Sequence, residues 1–533
     1  MAAGMGRPVV RWSVKRLPTA QHVLLGGSGA ILVTACLLPL IWPLIGLVSA
    51  GGEAASLSLL ADTALWSLLA RTVAVTCGVL ALALAVGLPM AFLVARSDVA
   101  GRGLALVLHA FPALLPPLLP ALGWFHLLGR QGLIGNETSA AFLFSEAGVV
   151  LTLGLALAPI VTALTALALW NADPTQEEAA RITASPLRVA THILLPSARP
   201  GIVLAGIVIA ALALSEVGVP TFLRTRTYAS AVFARLGGVD FAPMEALVLT
   251  LPVLALTGVL LGAARWATGG RSFATFGLRS FRQPPMALGS WRTPASLFCW
   301  AVALLSVAPI AALAWRAGRE GFAAVPVWIG DGMSNSLRPA ALAACVIALI
   351  ALPLGHGLAR GSRGAAVLDM TALVAFVAPP ALLGVGLVAL WNRPETDWLY
   401  GSWLIIALGY VGRYAVIGVR AFAASCAQLP PTIEDAARVF GTGYGARLVR
   451  IVIPLQARAF MGGWLLVLLF CLRDLETAAL FYPPGKEPLA IRIFTLEANG
   501  PEAVVAALAC VQAALSAAAL ALALPLLSVR SGR

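Results

Sequence analysis

Four charged residues lie within or beside long apolar stretches of the sequence: the acids Glu216, Asp474 and Glu476, and the base Arg413. A charge inside a bilayer costs about 2.5–3.5 kcal/mol on insertion scales, so these acids are expected to face a partner or a water-filled path. Carboxylate oxygens suit hard metal cations. The three acids are therefore candidates for a translocation pathway, although acids that merely end helices near the outer surface fit the same pattern. Arg413 is expected to pair with an acid or to extend towards the interface.

A second pair of acids lies in two polar segments between apolar runs. Thr175 precedes Glu178 by three residues, and Thr432 precedes Asp435 by three residues. This is the spacing of a capping box, and an acid in the first turn of a helix is favoured by the helix dipole. Each segment is predicted to hold a short surface helix. Capping alone and docking of another protein both explain the pattern.

These residues recur at a nearly fixed offset. Glu178-Ala179-Ala180-Arg181 is followed 257 positions later by Asp435-Ala436-Ala437-Arg438. Glu216 and Asp474 are 258 positions apart, and Pro116-Pro117 is echoed by Pro379-Pro380. The recurrence indicates an internal duplication, and related acids in a pseudo-twofold assembly could flank one central pathway.

The elements that position these residues follow from composition. Of 533 residues, 60% are hydrophobic and 11% are charged, whereas a soluble protein has about a quarter charged residues. Runs long enough to cross a bilayer are predicted at 23–50, 72–95, 103–129, 147–170, 201–223, 246–264, 294–315, 339–359, 364–391, 403–424, 459–481 and 502–527. The predicted fold class is an all-α integral membrane protein with about twelve transmembrane helices in two homologous six-helix halves.

The halves are predicted as 1–268, with a polar loop at 172–199, and 294–533, with a polar loop at 425–458. A linker at 269–293 joins them. Most of the 36 Lys and Arg residues fall on one side if the N-terminus is cytoplasmic, so both termini and both loops are predicted to face the cytoplasm. The first apolar run is too long for a signal peptide and is interpreted as an uncleaved helix.

Several other functions find no support in the sequence. The net charge of +13 comes from Arg residues scattered between apolar runs, which argues against nucleic-acid binding. The seven Cys and five His are dispersed, so no metal site is expected. The sequence has no Gly-x-x-x-x-Gly-Lys-Ser/Thr phosphate loop and no nucleophile motif, so no ATP hydrolysis, cofactor or catalytic residue is expected in this chain.

The two loops resemble the cytoplasmic loop of ATP-binding-cassette (ABC) importer permeases, whose pattern is E-A-A-x3-G-x9-I-x-L-P. The second loop has the expected spacing, with Asp for Glu and Ile for Leu. The first lacks the Gly and is one residue short. The matching residues are Asp435, Ala436, Ala437, Gly441, Ile451, Ile453 and Pro454 in the second loop, and Glu178, Ala179, Ala180, Leu195 and Pro196 in the first.

This resemblance implies a permease subunit in the bacterial inner membrane. An ABC ATPase dimer would dock on the matching residues and bind the ATP, and a periplasmic binding protein would deliver the solute. The fused twelve-span form resembles the ferric-iron permeases, which makes ferric iron the first expectation for the solute, and related fused permeases carry thiamine, polyamines or phosphonates. A gradient-driven secondary transporter is the alternative from another class, since twelve spans in two halves fit it too. Such a carrier has no reason to hold the two matching loops.

Overall fold

The structure is a computed structural model that describes residues 19–49, 58–170, 174–237, 242–267 and 285–527. Within these ranges the chain is helical, with a single isolated β-bridge between Ser97 and Met286. Nine of the described helices are long and apolar enough to cross a membrane, and the number rises to twelve if three bent helix pairs each count as one span. The predicted fold class is therefore confirmed.

The spans are numbered here in chain order, and the short helices between them are named where they matter. The first six are Thr19–Leu32 with Leu38–Ser49, Thr63–Arg96, Arg102–Ala110 with Leu118–Leu128, Glu146–Trp170, Leu195–Ser215 and Pro243–Ala267. The second six are Arg292–Trp328, Gly332–Ala359, Arg363–Val377 with Pro380–Trp391, Leu404–Cys426, Tyr444–Arg447 with Ile453–Leu455 and Ala457–Leu472, and Glu502–Leu527.

Two corrections concern the fifth and eleventh spans, which were predicted to extend to residues 223 and 481. The regular helices end at Ser215 and Leu472 instead. The acids Glu216 and Asp474 lie just after these helix ends, and each accepts a hydrogen bond from a backbone N–H three residues further along the chain. Glu216 accepts from the Val219 N–H at 3.1 Å, and Asp474 accepts from the Thr477 N–H at 2.8 Å. Buried carboxylates need such donors, so each acid lies just beyond the end of a regular helix, where backbone N–H groups are free to bind it.

Prolines bend the third span of each half at equivalent places. The third span turns by 106° between its two helices, next to Pro116 and Pro117, and the ninth span turns by 105° next to Pro379 and Pro380. Proline lacks the N–H that would continue the helix and clashes with the preceding turn. The related bends support the internal duplication that the sequence predicts.

The opening span of each half packs on the other half. The first span contacts the eighth, ninth and tenth spans, and the seventh span contacts the second and third. Two related glycines permit the closest approaches. A Cβ on Gly123 would lie 2.2 Å from the Pro309 carbonyl oxygen, and a Cβ on Gly386 would lie 1.7 Å from that of Pro39. The two predicted halves are thus intertwined rather than side by side.

Candidate functional site

The two polar loops each contain a short helix that connects two spans. The first loop helix, Pro174–Thr183, follows the fourth span, and the second loop helix, Pro431–Val439, follows the tenth. Both begin at a proline, so Thr175 and Thr432 lie inside the first turn. The predicted capping box is therefore wrong in the second loop, where Pro430 is the N-cap and no side chain caps the helix.

Gly441 ends the second loop helix. Its φ of +75° is in the left-handed region that favours glycine. The Gly441 N–H donates to the Arg438 carbonyl at 2.9 Å, and the Thr442 N–H donates to the Ala437 carbonyl at 3.0 Å. These two bonds form a Schellman motif, which explains the glycine of the loop pattern. The first loop helix has Ala184 at the related position.

A buried glutamate fixes the first loop helix to the membrane helices. The Glu177 carboxylate lies 3.2 Å from Arg96 Nη1, at the end of the second span, and 2.5 Å from Arg181 Nη2. Arg96 also donates to the Leu169 carbonyl at the end of the fourth span. Glu177 and Arg96 are both almost fully buried. A buried carboxylate is stable only when it is paired in this way.

Glu434 fixes the second loop helix to the membrane helices in the same way. It accepts from Arg360 Nη2 at 2.5 Å and Arg360 Nε at 3.0 Å, just after the eighth span. His356 Nε2 lies 2.8 Å from its other oxygen, and the Tyr444 hydroxyl lies 3.3 Å from His356 Nδ1. Glu177 and Glu434 are 257 positions apart, so these two anchors, Glu177–Arg96 and Glu434–Arg360, are related by the internal duplication.

The Glu434 carboxylate of the second anchor is ionised at neutral pH. Burial alone would raise the pKa of Glu434, but hydrogen bonds from His356 and Arg360 outweigh burial and lower that pKa to about 2. A carboxylate whose pKa is depressed in the folded state contributes its stability above its ordinary pKa and loses it as the pH falls towards the depressed value. The Glu434 contact is therefore intact at neutral pH.

The predicted acids, by contrast, point away from the protein. Glu178 and Asp435 are exposed, and Asp435 forms an exposed ion pair with Arg438 at 3.3 Å. Consecutive helical residues are about 100° apart, so a helix that buries the first of two acids presents the second to its surroundings. Ala179 and Ala436 are likewise exposed, whereas Ala180 and Ala437 are half-buried. The two loop helices thus present equivalent positions in the same orientation.

Both loops also expose apolar side chains. Ile182 and Val439, 257 positions apart, are each 85% exposed, and Phe440 is 87% exposed. Leu195, Pro196, Gly441 and Pro454 are exposed, and Ile451 is half-buried. Exposed apolar groups at related positions of two polar loops are typical of a surface that binds a partner.

The sequence interpretation missed Glu177, Glu434 and their basic partners. The loop pattern begins at Glu178 and Asp435, which are the second acids of two adjacent pairs, and so it indicates those residues and not the acids before them. A signal was nevertheless present, because an Arg follows the second span of each half, as Arg96 and Arg360, and two adjacent acids on one helix cannot both face it.

The three pathway candidates lie in one central region. Asp474 accepts from the Tyr414 hydroxyl and from Thr477 Oγ1 at 2.7 Å, and Arg413 Nε lies 3.9 Å from it. Arg413 therefore pairs with an acid, as predicted. Glu216 and Asp474 are buried. Glu476 is half-buried and lines a cavity of 30 Å³ together with apolar residues of both halves.

The segments after the two related acids meet each other. A Cβ on Gly218 would lie 2.8 Å from Leu475 Cδ2, so glycine permits this approach. Arginines satisfy the carbonyls that the bent spans leave open: Arg473 donates to Ala113, and Arg413 donates to Ala378 at 3.4 Å. Among the described residues, no three His, Cys, Asp or Glu side chains converge as a metal site would require.

Comparison with known proteins adds several relatives. The chain is 24% identical over 399 residues to a probable ABC transporter permease of Sinorhizobium fredii, covering 67% of this chain and 69% of the relative. It is 22% identical over 387 residues to a putative ferric transport system permease of Haemophilus influenzae, covering 67% and 60%. It is 33% identical over 159 residues to a molybdenum transport system permease of Escherichia coli, covering 28% and 69%. No family model and no solved structure matches the chain.

Proposed function

This chain belongs to the permease family of ABC transporters, and from that premise we propose that it forms the membrane pathway of a bacterial importer. In this proposal a partner ATPase docks on the two loop helices, and a binding protein delivers the solute on the opposite side. The observation that carries the proposal is the pair of related loop helices, each anchored to the membrane helices by a buried glutamate.

The proposed docking surface consists of the exposed residues of the two loops. Glu178 and Asp435 offer carboxylates to basic groups of a partner, and Ile182, Val439 and Phe440 offer apolar side chains. Because the loop helices are fixed to the second and eighth spans, movement of the partner would move those spans. We place both loops and both termini in the cytoplasm and the chain in the inner membrane.

Ferric iron is the first candidate for the solute. The ferric permease relatives align over about two thirds of this chain, and the acids Glu216 and Asp474, which are buried, and Glu476, which is half-buried, suit a path for a hard cation. A molybdenum oxyanion is a second candidate, because the molybdenum permease relative shares 33% identity with part of the chain. The sequence alternatives of thiamine, polyamines and phosphonates remain open.

Measurements of uptake in cells test both the proposed class of transporter and the identity of the solute. Deleting the gene, with redundant iron importers removed, is expected to abolish uptake of labelled ferric iron, and the wild-type gene is expected to restore it. The Glu178→Ala, Asp435→Ala double variant should insert at normal abundance and fail to restore uptake. Loss of labelled molybdate uptake alone would assign the second solute, and normal uptake by the double variant would contradict the role of the two acids.

A gradient-driven carrier makes the opposite prediction for energy supply. Uptake by an importer of the proposed class requires ATP and stops when the partner ATPase is inactivated, even if the membrane potential is intact. Uptake that survives loss of the ATPase and stops on addition of an uncoupler would identify a secondary transporter instead.

A further inference from the structure

Residues 285–288, within the predicted linker, pair with the end of the second span. The Met286 N–H donates to the Arg96 carbonyl at 2.7 Å, and Met286 forms the isolated parallel bridge with Ser97. The Leu288 N–H donates to Asp98 Oδ1 at 3.1 Å. This contact is made at Arg96, whose side chain holds Glu177 in the first anchor. Residues 269–284 of the predicted linker lie outside the described residues.

The side chains of this segment alternate as in a strand. Met286 and Leu288 are half-buried, whereas Pro285 and Ala287 are exposed. Met286 packs on the buried cluster of Leu169, Val189, Leu194 and Ala198, which lies beneath the first loop. Leu288 packs on a separate cluster that includes Val94 and Val99 of the same inner end. The segment therefore joins the first loop to the second span through both backbone and side chains.

The two loops differ in how they are stabilised. The second loop has Gly441 in its Schellman motif, and the ring of its own Tyr444 lies 5.5 Å from that of His356. The first loop has Ala184 in place of the glycine and is one residue shorter. Ala184 is half-buried and packs against the same cluster as Met286. The shorter loop is thus supported by a residue from outside its own half.

We propose that residues 285–288 are a structural part of the first ATPase-docking site, with Met286 as a positioning residue that holds Arg96 and the first loop helix in place. This proposal rests on the proposed function for its consequence in transport. It assigns the linker a role beyond joining the halves: contact between the first loop and the ATPase depends on this segment, and contact of the second loop does not.

Two variants of the full-length chain test this role in lipid nanodiscs. Met286→Pro removes the N–H that bonds to Arg96, and Met286→Asp places a charge against the apolar cluster. Amide hydrogen exchange in residues 174–183 is expected to rise about two- to tenfold, the range for loss of one backbone hydrogen bond, whereas exchange in residues 431–439 stays unchanged. Met286→Leu and Ala287→Pro are the matched controls, because Leu preserves the packing and Ala287 is exposed.

A second readout separates positioning from simple stability. A photo-cross-linking amino acid at Ile182 or at Val439 reports contact of each loop with the ATPase. In Met286→Pro the yield from Ile182 is expected to fall by about the same factor, while the yield from Val439 stays at the wild-type level. Unchanged exchange in both Met286 variants, or an equal rise in both loop helices, would overturn the proposal. Absence of cross-links at both positions in the wild type would instead refute the proposed ATPase docking, and the exchange measurement would still decide the structural role of Met286.

Discussion

Replacing Glu177 and Glu434 together by Ala is expected to reduce uptake to background while the protein still inserts in the membrane. Each substitution leaves an Arg largely buried without its carboxylate, at Arg96 and at Arg360. Breaking one partner of a buried ion pair costs about 3–5 kcal/mol. That cost is expected to release each loop helix, because the ion pair joins it directly to the end of the second or the eighth span. Uptake of the labelled solute and membrane abundance are the two measurements.

A matched control uses an acid in an exposed ion pair. Glu137 pairs with Arg130, and the two side chains are 78% and 75% exposed. Such pairs contribute about 0–1 kcal/mol, so Glu137→Ala should leave uptake at the wild-type level. Near-normal uptake by the Glu177→Ala, Glu434→Ala variant would show that the anchors do not transmit movement from the loops.

Replacing Arg413 by Met is expected to prevent stable assembly of the membrane region. Arg413 is the cation beside the buried Asp474, and it also donates to the Ala378 carbonyl at the bend of the ninth span. Its loss leaves a buried carboxylate without a positive charge, at a cost again of about 3–5 kcal/mol. The abundance of the variant in membranes and its thermal unfolding in detergent should both fall.

A variant that replaces both Arg413 and Asp474 distinguishes the effect of their charge pairing from the effect of the other contacts of Arg413. Replacing both members of a buried ion pair is often close to neutral, so Arg413→Met with Asp474→Asn should recover much of the lost abundance. Asp474→Asn keeps an oxygen that can accept from the Thr477 N–H. A double variant no more stable than Arg413→Met alone would contradict the pairing, because removal of the unpaired charge would then bring no recovery.

The sequence predicts the number of spans and the duplication because both depend on local properties. Apolar runs of sufficient length define the spans, and the repeat of Glu178 and Asp435 relates the halves. Helix ends were less predictable: the fifth and eleventh spans end where Glu216 and Asp474 find backbone donors, and hydropathy does not report such bonds.

Features that depend on tertiary packing were not predictable in the same way. The contact of Gly386 with Pro39 joins residues more than 340 positions apart in the chain, and only the assembled structure shows why glycine is needed there. The anchors lie between these two cases, because part of the information needed to predict them is local. Each loop contains two adjacent acids, so the sequence shows that Glu177 and Glu434 face a different direction from their neighbours. Their burial depends on Arg96 and Arg360, which lie at the ends of other helices.

The differences between the loops bear on how one ATPase dimer could engage both. The second loop helix is held by its own half through Glu434, His356 and Tyr444. The first is held by Glu177 and by the second span, whose C-terminal end pairs with the linker. Both nevertheless expose related residues in the same orientation, so the two proposed docking surfaces are similar although their supports are not.

Site-specific photo-cross-linking in cells that express the transporter with its ATPase tests the central claim most directly. Probes at Ile182 and at Val439 are both expected to cross-link to the ATPase, because both positions are exposed on the loop helices. A probe at Trp398, which is exposed between the ninth and tenth spans on the opposite side, should give no such product. Cross-links from both loop positions and not from Trp398 would support docking on the two loop helices. Cross-links from neither loop position, with the ATPase and the chain both present in the membrane, would contradict it.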